Sequence, residues 1–340
     1  MRFKTELKNI RVFSKLITAI SALEKITWVR MDDDQVRFTV IPAVGSQVWA
    51  TFAMDAIFEN YHIQSAEPSN TINLELPIGP LQRALRSAIS STSASVRLTK
   101  RDGIPVLSFT IHTTTHDPSA PGGFNAGHAT GGYDDDDGNF PAEVSLRGHE
   151  REKIITHDIP VRVLHPDIVE GTMQPNAREP DVHIRMPPLL QLKAISDRFT
   201  KLASTSNTSS RGAVSTSSPR LELSANMHGQ LKLRIATDSL DVESTWDKLE
   251  HPELDPSHFD YPIEEHNCMR FKAAGPDKWA TVRVDGKDWS RVLGVGRLDG
   301  RVIACFSNDN ALILYVYVPQ LEDAGGEESV VTYYVSSYSA

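Results

Sequence analysis

From Asn9 onward the apolar positions recur at helical spacing. Ile10, Phe13, Ile17 and Ile20 share one face with Leu16 and Leu23 beside them, while Lys8, Arg11, Lys15 and Lys25 fall two residues out of phase. Two residues are about 200° of helix rotation, so this basic stripe points away from the core. Either side of the helix the pattern changes to strand-like runs, at Arg2 to Leu7, Thr27 to Met31, Gln35 to Ile41, Gln47 to Met54 and Thr71 to Leu76. A second helix opens around Pro80, a residue suited to a first helical turn, and Leu81, Ala84, Leu85, Ala88 and Ile89 form its apolar face. Arg83 and Arg86 lie on its far side. Two further strands, Val96 to Lys100 and Ile104 to His112, meet through Asp102-Gly103, a pair that tolerates the positive φ of a tight hairpin turn.

The segment Thr113 to Glu150 then loses its apolar residues and fills with Gly, Pro and Asp, among them Asp134 to Asp137; it reads as a flexible insertion between strands. Ile154 to Leu164 is a strand again. Pro160 cannot donate to a ladder, so this strand belongs at a sheet edge. A polar connector with Pro166, Gly171, Pro175 and Pro180 follows, and the plan of the first half is then repeated. Val182 to Met186 is a strand and Pro187-Pro188 leads into a helix whose expected face is Leu192, Ile195, Phe199 and Leu202, with Lys193, Asp197 and Lys201 outward. Beyond a Ser/Thr-rich loop at Ser204 to Ser218, strands are expected at Arg220 to Ala225, Gln230 to Ala236 and Leu240 to Trp246. Leu249 to Pro276 reads as an acidic loop. Trp279 to Val284 is a strand, and Asp285 is placed to cap a short helix that turns Trp289, Val292 and Leu293 inward and Lys287 and Arg291 outward. Val302 to Ser307, Ala311 to Val318 and Val330 to Val335 close the chain.

Each half thus reads strand, helix, several strands, helix, more strands. The fold class is α+β, with a first domain over 1–164, carrying the insertion near 113–150, a connector over 165–180 and a second domain over 181–340. Antiparallel sheets with only two helices per half lay those helices on one face.

With 340 residues, 40% of them hydrophobic, the chain can build two cores. Its net charge of −9 argues against a protein that binds polyanions over its whole surface, so the placement of charge decides. Acidic residues outnumber basic ones by 44 to 35, yet all four expected helices show Lys or Arg opposite their apolar face. Only Cys268 and Cys305 occur, which supplies neither a disulfide framework nor a cysteine-rich zinc site and fits a reducing compartment. No run of about 18 apolar residues exists, so neither a secretory leader nor a membrane span is expected.

Histidines and acids gather at His112, His116-Asp117, His128, Asp134 to Asp137, His149 and His157-Asp158, but none has the spacing of a catalytic metal site. Most lie in the expected insertion, so we read them as solvated and expect neither a cofactor nor a bound metal. Gly294-Val295-Gly296 follows a helix instead of a strand and reads as a helix end, not a phosphate loop.

Several stretches resemble a known family: Met1-Arg2-Phe3-Lys4, Thr156-His157-Asp158-Ile159-Pro160-Val161, Glu179-Pro180-Asp181-Val182 and Leu231-Lys232-Leu233-Arg234-Ile235. They are similar to the Hus subunits of the checkpoint clamp called the nine-one-one complex, a family related in fold to the replicative sliding clamp. That resemblance implies a ring of three different subunits, strands outside and helices lining a hole through which double-stranded DNA passes, with no catalysis of its own. It implies a nuclear protein, a clamp loader, and checkpoint and repair proteins as further partners, and no membrane association. DNA-facing residues would be Arg11, Lys15, Arg83, Arg86, Lys193, Lys201, Lys287 and Arg291. The subunit boundaries would run along two edge strands, at Ile159, Val161 and Val163 and at Leu240, Val242 and Trp246. A homotrimeric replication clamp is the alternative with the same fold, and a metal-dependent hydrolase using the histidine and aspartate residues a remote third.

Overall fold

The computed structural model describes residues 1–116, 150–172, 174–175, 178–207, 219–253, 261–318 and 329–338. The first half contains β1 (Arg2–Leu7), α1 (Ile10–Ile20), β2 (Ile26–Met31), β3 (Gln35–Val40), β4 (Gln47–Ala53), α2 (Met54–Ile57), β5 (Phe58–Gln64), β6 (Ile72–Pro77), α3 (Ile78–Ala88), β7 (Ser93–Arg101), β8 (Ile104–His116), β9 (Glu150–Pro160) and β10 (Arg162–Val163). The second contains α4 (Pro166–Glu170), β11 (Val182–Arg185), α5 (Leu189–Asn207), β12 (Arg220–Ala225), β13 (Leu231–Thr237), β14 (Leu240–Trp246), α6 (Asn267–Ala273), β15 (Ala280–Asp285), α7 (Gly286–Val292), β16 (Arg301–Ser307), β17 (Ala311–Val318) and β18 (Ser329–Ser336).

Three antiparallel sheets result, ordered β5-β1-β7-β8-β9, β10-β6-β2-β3-β4-β18-β17-β16-β11 and β14-β13-β12-β15. The middle one runs through both halves. It closes where β4 pairs with β18, Gln47 opposite Tyr334 and Thr51 opposite Val330, so two strands that would each be an exposed edge satisfy one another instead. In the first half the helices cover a core whose centre is aromatic: Phe3 meets Phe58 edge-on at 5.6 Å, and Phe13 sits 5.5 Å from Phe38. Strand alternation does the sorting, for Phe3, Thr5 and Leu7 are buried while Arg2, Lys4 and Glu6 are exposed. The hairpin at Asp102-Gly103 forms with positive φ at both residues, 50° and 80°.

Several expectations are corrected. Thr113 to His116 extend β8 and pair with Glu150 to Lys153, so both ends of the expected insertion are ladder; the span 117–149 lies outside the described residues. β5 went unpredicted because four consecutive residues, Glu59 to His62, are exposed and no alternation marks it. The loop reading of Leu249 to Pro276 missed α6, where the His266 imidazole accepts from the Cys268 N–H as a cap. The connector contains α4 and is anchored at its end by Glu179, whose Oε1 accepts from Asn267 N at 3.0 Å and Tyr261 OH at 3.1 Å and lies 3.2 Å from His266 Nε2. In α5 the buried face is Leu189, Leu192, Ser196, Phe199 and Ala203, not one ending on Leu202, which is 50% exposed. The same helix runs through Asn207, taking the first four residues of the expected Ser/Thr loop: Ser204 and Thr205 hydroxyls donate back to carbonyls four residues earlier.

Candidate nucleic-acid interface

Four helices and one turn make a single layer. α1 packs against α3 on one side and against the 3₁₀ turn Leu293–Leu298 on the other, and α5 packs against that turn and α7. The apolar faces determine this arrangement: Leu16, Ile17 and Ile20 of α1, Leu81, Ala84 and Leu85 of α3, and Trp289 and Val292 of α7 are all buried. α7 starts where expected, the Asp285 carboxylate accepting from the N–H groups of Lys287 and Asp288, both at 2.9 Å. Their opposite sides stay in solvent. Arg11, Lys15, Arg83, Arg86, Lys201, Lys287 and Arg291 are exposed, spread over four helices of one layer. Such a surface attracts a polyanion without reading a sequence, because phosphate contacts carry charge but no base information.

Lys193 and Lys15, both among the sequence-predicted cations, have partners of their own. Lys193 is only half-exposed and spends its ammonium inside the layer, on Asp197 at 3.2 Å, on the Ser290 carbonyl at 2.9 Å and on the Ser290 hydroxyl. It fastens α5 to α7, which removes it from the set of ready phosphate ligands. Lys15 reaches Asp299 at 3.1 Å, a contact between the two halves, but that pair is solvent-exposed and worth little. Arg297 was missed: it is exposed in the 3₁₀ turn between α1 and α5, where the sequence reading saw only a helix end. The signal was available in the buried trio Leu293, Val295 and Leu298, which turns Arg297 outward.

The first expected boundary strand, Ile154 to Leu164, is split into β9, an edge of the five-stranded sheet, and β10, which carries Val163 at an edge of the nine-stranded sheet; the second, β14, is an edge of the four-stranded sheet. Their side chains differ from expectation in the first case. Ile159 is 1% and Val161 7% exposed, both inside the chain's own core, whereas Val163 is 40% exposed. Ile159 and Val161 are therefore withdrawn as contact side chains, and what β9 presents is its backbone edge. On β14, Leu240, Val242 and Trp246 are half-buried against the core, alternating with exposed Asp241, Glu243 and Thr245. Of the histidine cluster, His157 faces Ser87 of α3 at 3.2 Å and Asp158 pairs with Arg101 at 2.5 Å. No group of three or more potential metal ligands occurs among the described residues.

A family model described as Hus1-like protein matches residues 1–339. The chain belongs to the Hus1-like family. Among curated relatives, the checkpoint protein hus1 of Schizosaccharomyces pombe is 34% identical over 339 residues, 99% of each chain. The human checkpoint protein HUS1 is 23% identical over 274 residues, covering 78% of this chain and 80% of the human one. Solved structures match this Hus1-like chain in fold. The proliferating cellular nuclear antigen of Entamoeba histolytica superposes with a TM-score of 0.60 over 99% of this chain and 98% of that one, at 11% identity. A second such protein, from Thermococcus kodakaraensis, gives 0.57 over 99% and 100%, at 12% identity. The α+β sliding-clamp fold expected for the chain is thereby shown.

Proposed function

We propose that this chain is the Hus-type, non-catalytic subunit of a checkpoint clamp: a ring that encloses double-stranded DNA with its helix layer and recruits checkpoint signalling and repair proteins to damage. Membership of the Hus1-like family over essentially the whole chain carries the reading. The exposed arginines and lysines of the helix layer support it physically. A clamp has to hold DNA without stopping on it, which calls for a diffuse positive surface and no side chain committed to base edges. Chemistry is not required of such a protein.

In this reading the ring contains two other, different clamp subunits, joined by continuation of the β9 and β14 edges into neighbouring sheets. A loader places it on DNA, and it works in the nucleus. Co-expression with two candidate partner subunits followed by native mass measurement tests the assembly. One copy of each of three chains is expected. A stable trimer of this chain alone would overturn the heterotrimer and favour a homotrimeric replication clamp.

A further inference from the structure

Away from the helix layer, the five-stranded sheet carries a second basic cluster. On β1 the positions that face the helices are Phe3, Thr5 and Leu7, so Arg2 and Lys4 project from the opposite side of the sheet. Lys4 stands directly between His62 of β5 and Arg97 of β7, its partners in the two ladders. Lys100, three residues further along β7, turns to the other face of the strand and borders the same groove. Facing cations across a sheet repel, a cost normally avoided or relieved by a nearby acid. No such relief is present: among the described residues the side chains of Arg2, Lys4, His62, Arg97 and Lys100 make no hydrogen bond or ion pair. The nearest acid on β1, Glu6, is contacted by Asn60 at 3.5 Å. These five residues border one groove of about 810 Å³, and Leu98 and Pro105 supply apolar wall to it.

We propose that this groove docks a phosphorylated segment of a partner protein, with the phosphate between Lys4 and Arg97 and a neighbouring apolar side chain against Leu98 and Pro105. The charge favours phosphate over carboxylate. Two adjacent permanent cations with a histidine beside them are balanced by a group carrying about −1.5 to −2, and Arg97 adds a planar fork suited to its oxygens. The shape favours a peptide over DNA. A groove in the roughly 300–1,000 Å³ range of ligand clefts accepts a few extended residues, whereas a duplex is convex and would leave the apolar wall untouched. Lys4 and Arg97 lie on the sheet face opposite the buried Phe3, while Leu98, paired with Phe3, borders the groove from the other side of the strand, so a phosphate held between the two cations does not compete with DNA lying against the helices.

The test uses the full chain, alone and in the assembled ring, with fluorescence anisotropy. The probes are a short labelled peptide carrying one phosphoserine flanked by aspartate and valine, its unphosphorylated twin, and a labelled DNA duplex. Binding of the phosphopeptide is expected, with an affinity about tenfold or more above that of the twin, because two charge-assisted contacts depend on the phosphate. Lys4→Gln with Arg97→Gln should abolish that preference while leaving duplex binding and the thermal transition unchanged. Lys4 and Arg97 are exposed, and neutral glutamines remove cross-strand repulsion, so these variants fold. Equal binding of both peptides, an undiminished preference in the double variant, or displacement of the phosphopeptide by duplex would each overturn the assignment.

Discussion

Reversing Arg83 and Arg86 to glutamate is the most direct test of the helix layer as a DNA surface. The two side chains leave α3 three residues apart, on the same side, opposite the buried Leu81, Ala84, Leu85 and Ala88. Neither makes an ion pair among the described residues, so replacing them breaks no ion pair there. Arg86 sits in the last turn of α3, where a cation complements the helix dipole; its reversal costs about 0.3–1 kcal/mol of stability, too little to unfold the chain. The DNA effect is larger. Each phosphate neutralised contributes about −0.9 to the slope of log K against log salt, so losing two contacts flattens the slope by about 1.8. Over a roughly fourfold rise in salt, from about 50 to about 200 mM, the ratio of wild-type to variant affinity should therefore shrink by about an order of magnitude. Equilibrium binding of the purified ring to a linear duplex measures this. A closed circle would hide it, because topological linkage holds the ring whatever the charge. Lys193→Gln serves as the control: its ammonium is already spent on Asp197 and Ser290, so the slope should move little. Identical slopes for wild type and the arginine double variant would refute the placement of α3 against DNA.

Ile159→Asp and Val163→Asp should separate folding from assembly. The first buries a carboxylate in the core and costs about 3 kcal/mol or more, seen as a lower thermal midpoint, while the second leaves the isolated chain folded but prevents recovery of the ring. Normal assembly of Val163→Asp would remove β10 from the boundary. Asp285→Ala should cost about 1 kcal/mol by denaturant titration, because two N–H groups at the start of α7 lose their acceptor. His183 contributes to the acid side of the stability curve: burial, reinforced by His266 and His251 and opposed by Glu179, pushes its imidazole down from 6.5 to about 4. Below the unfolded value the unfolded chain binds the extra proton, so stability present above about 6.5 is lost as pH falls towards about 4, on the order of 3 kcal/mol in all. His183→Gln should flatten chemical-denaturation stability over that window; an unchanged profile would mean that another group governs it.

What the sequence determined by itself was everything carried by short-range periodicity. The apolar stripes of α1 and α3, the Asp102-Gly103 hairpin and the Asp285 cap depend on residues within a turn or two of each other, and these were read in nearly the right places. The same locality put Arg11, Arg83, Arg86, Lys287 and Arg291 outward, since a residue opposite a buried stripe has nowhere else to point. Edge placement of the strand with Pro160 followed from a missing N–H, also a local fact. Tertiary structure decided what depends on partners distant in sequence. Pairing of Thr51 with Val330 joins the halves into one nine-stranded sheet, and nothing in either segment names the other. Lys193 looked like its neighbours on the outward face until α7 brought Ser290 to it. Ile159 and Val161 could have faced either a neighbour or the core, for a strand's two faces are set by what packs on them. β5 and the start of α6 carry no periodic signal of their own; they are held by β1 and by Glu179, contacts that exist only once the rest of the chain has folded around them.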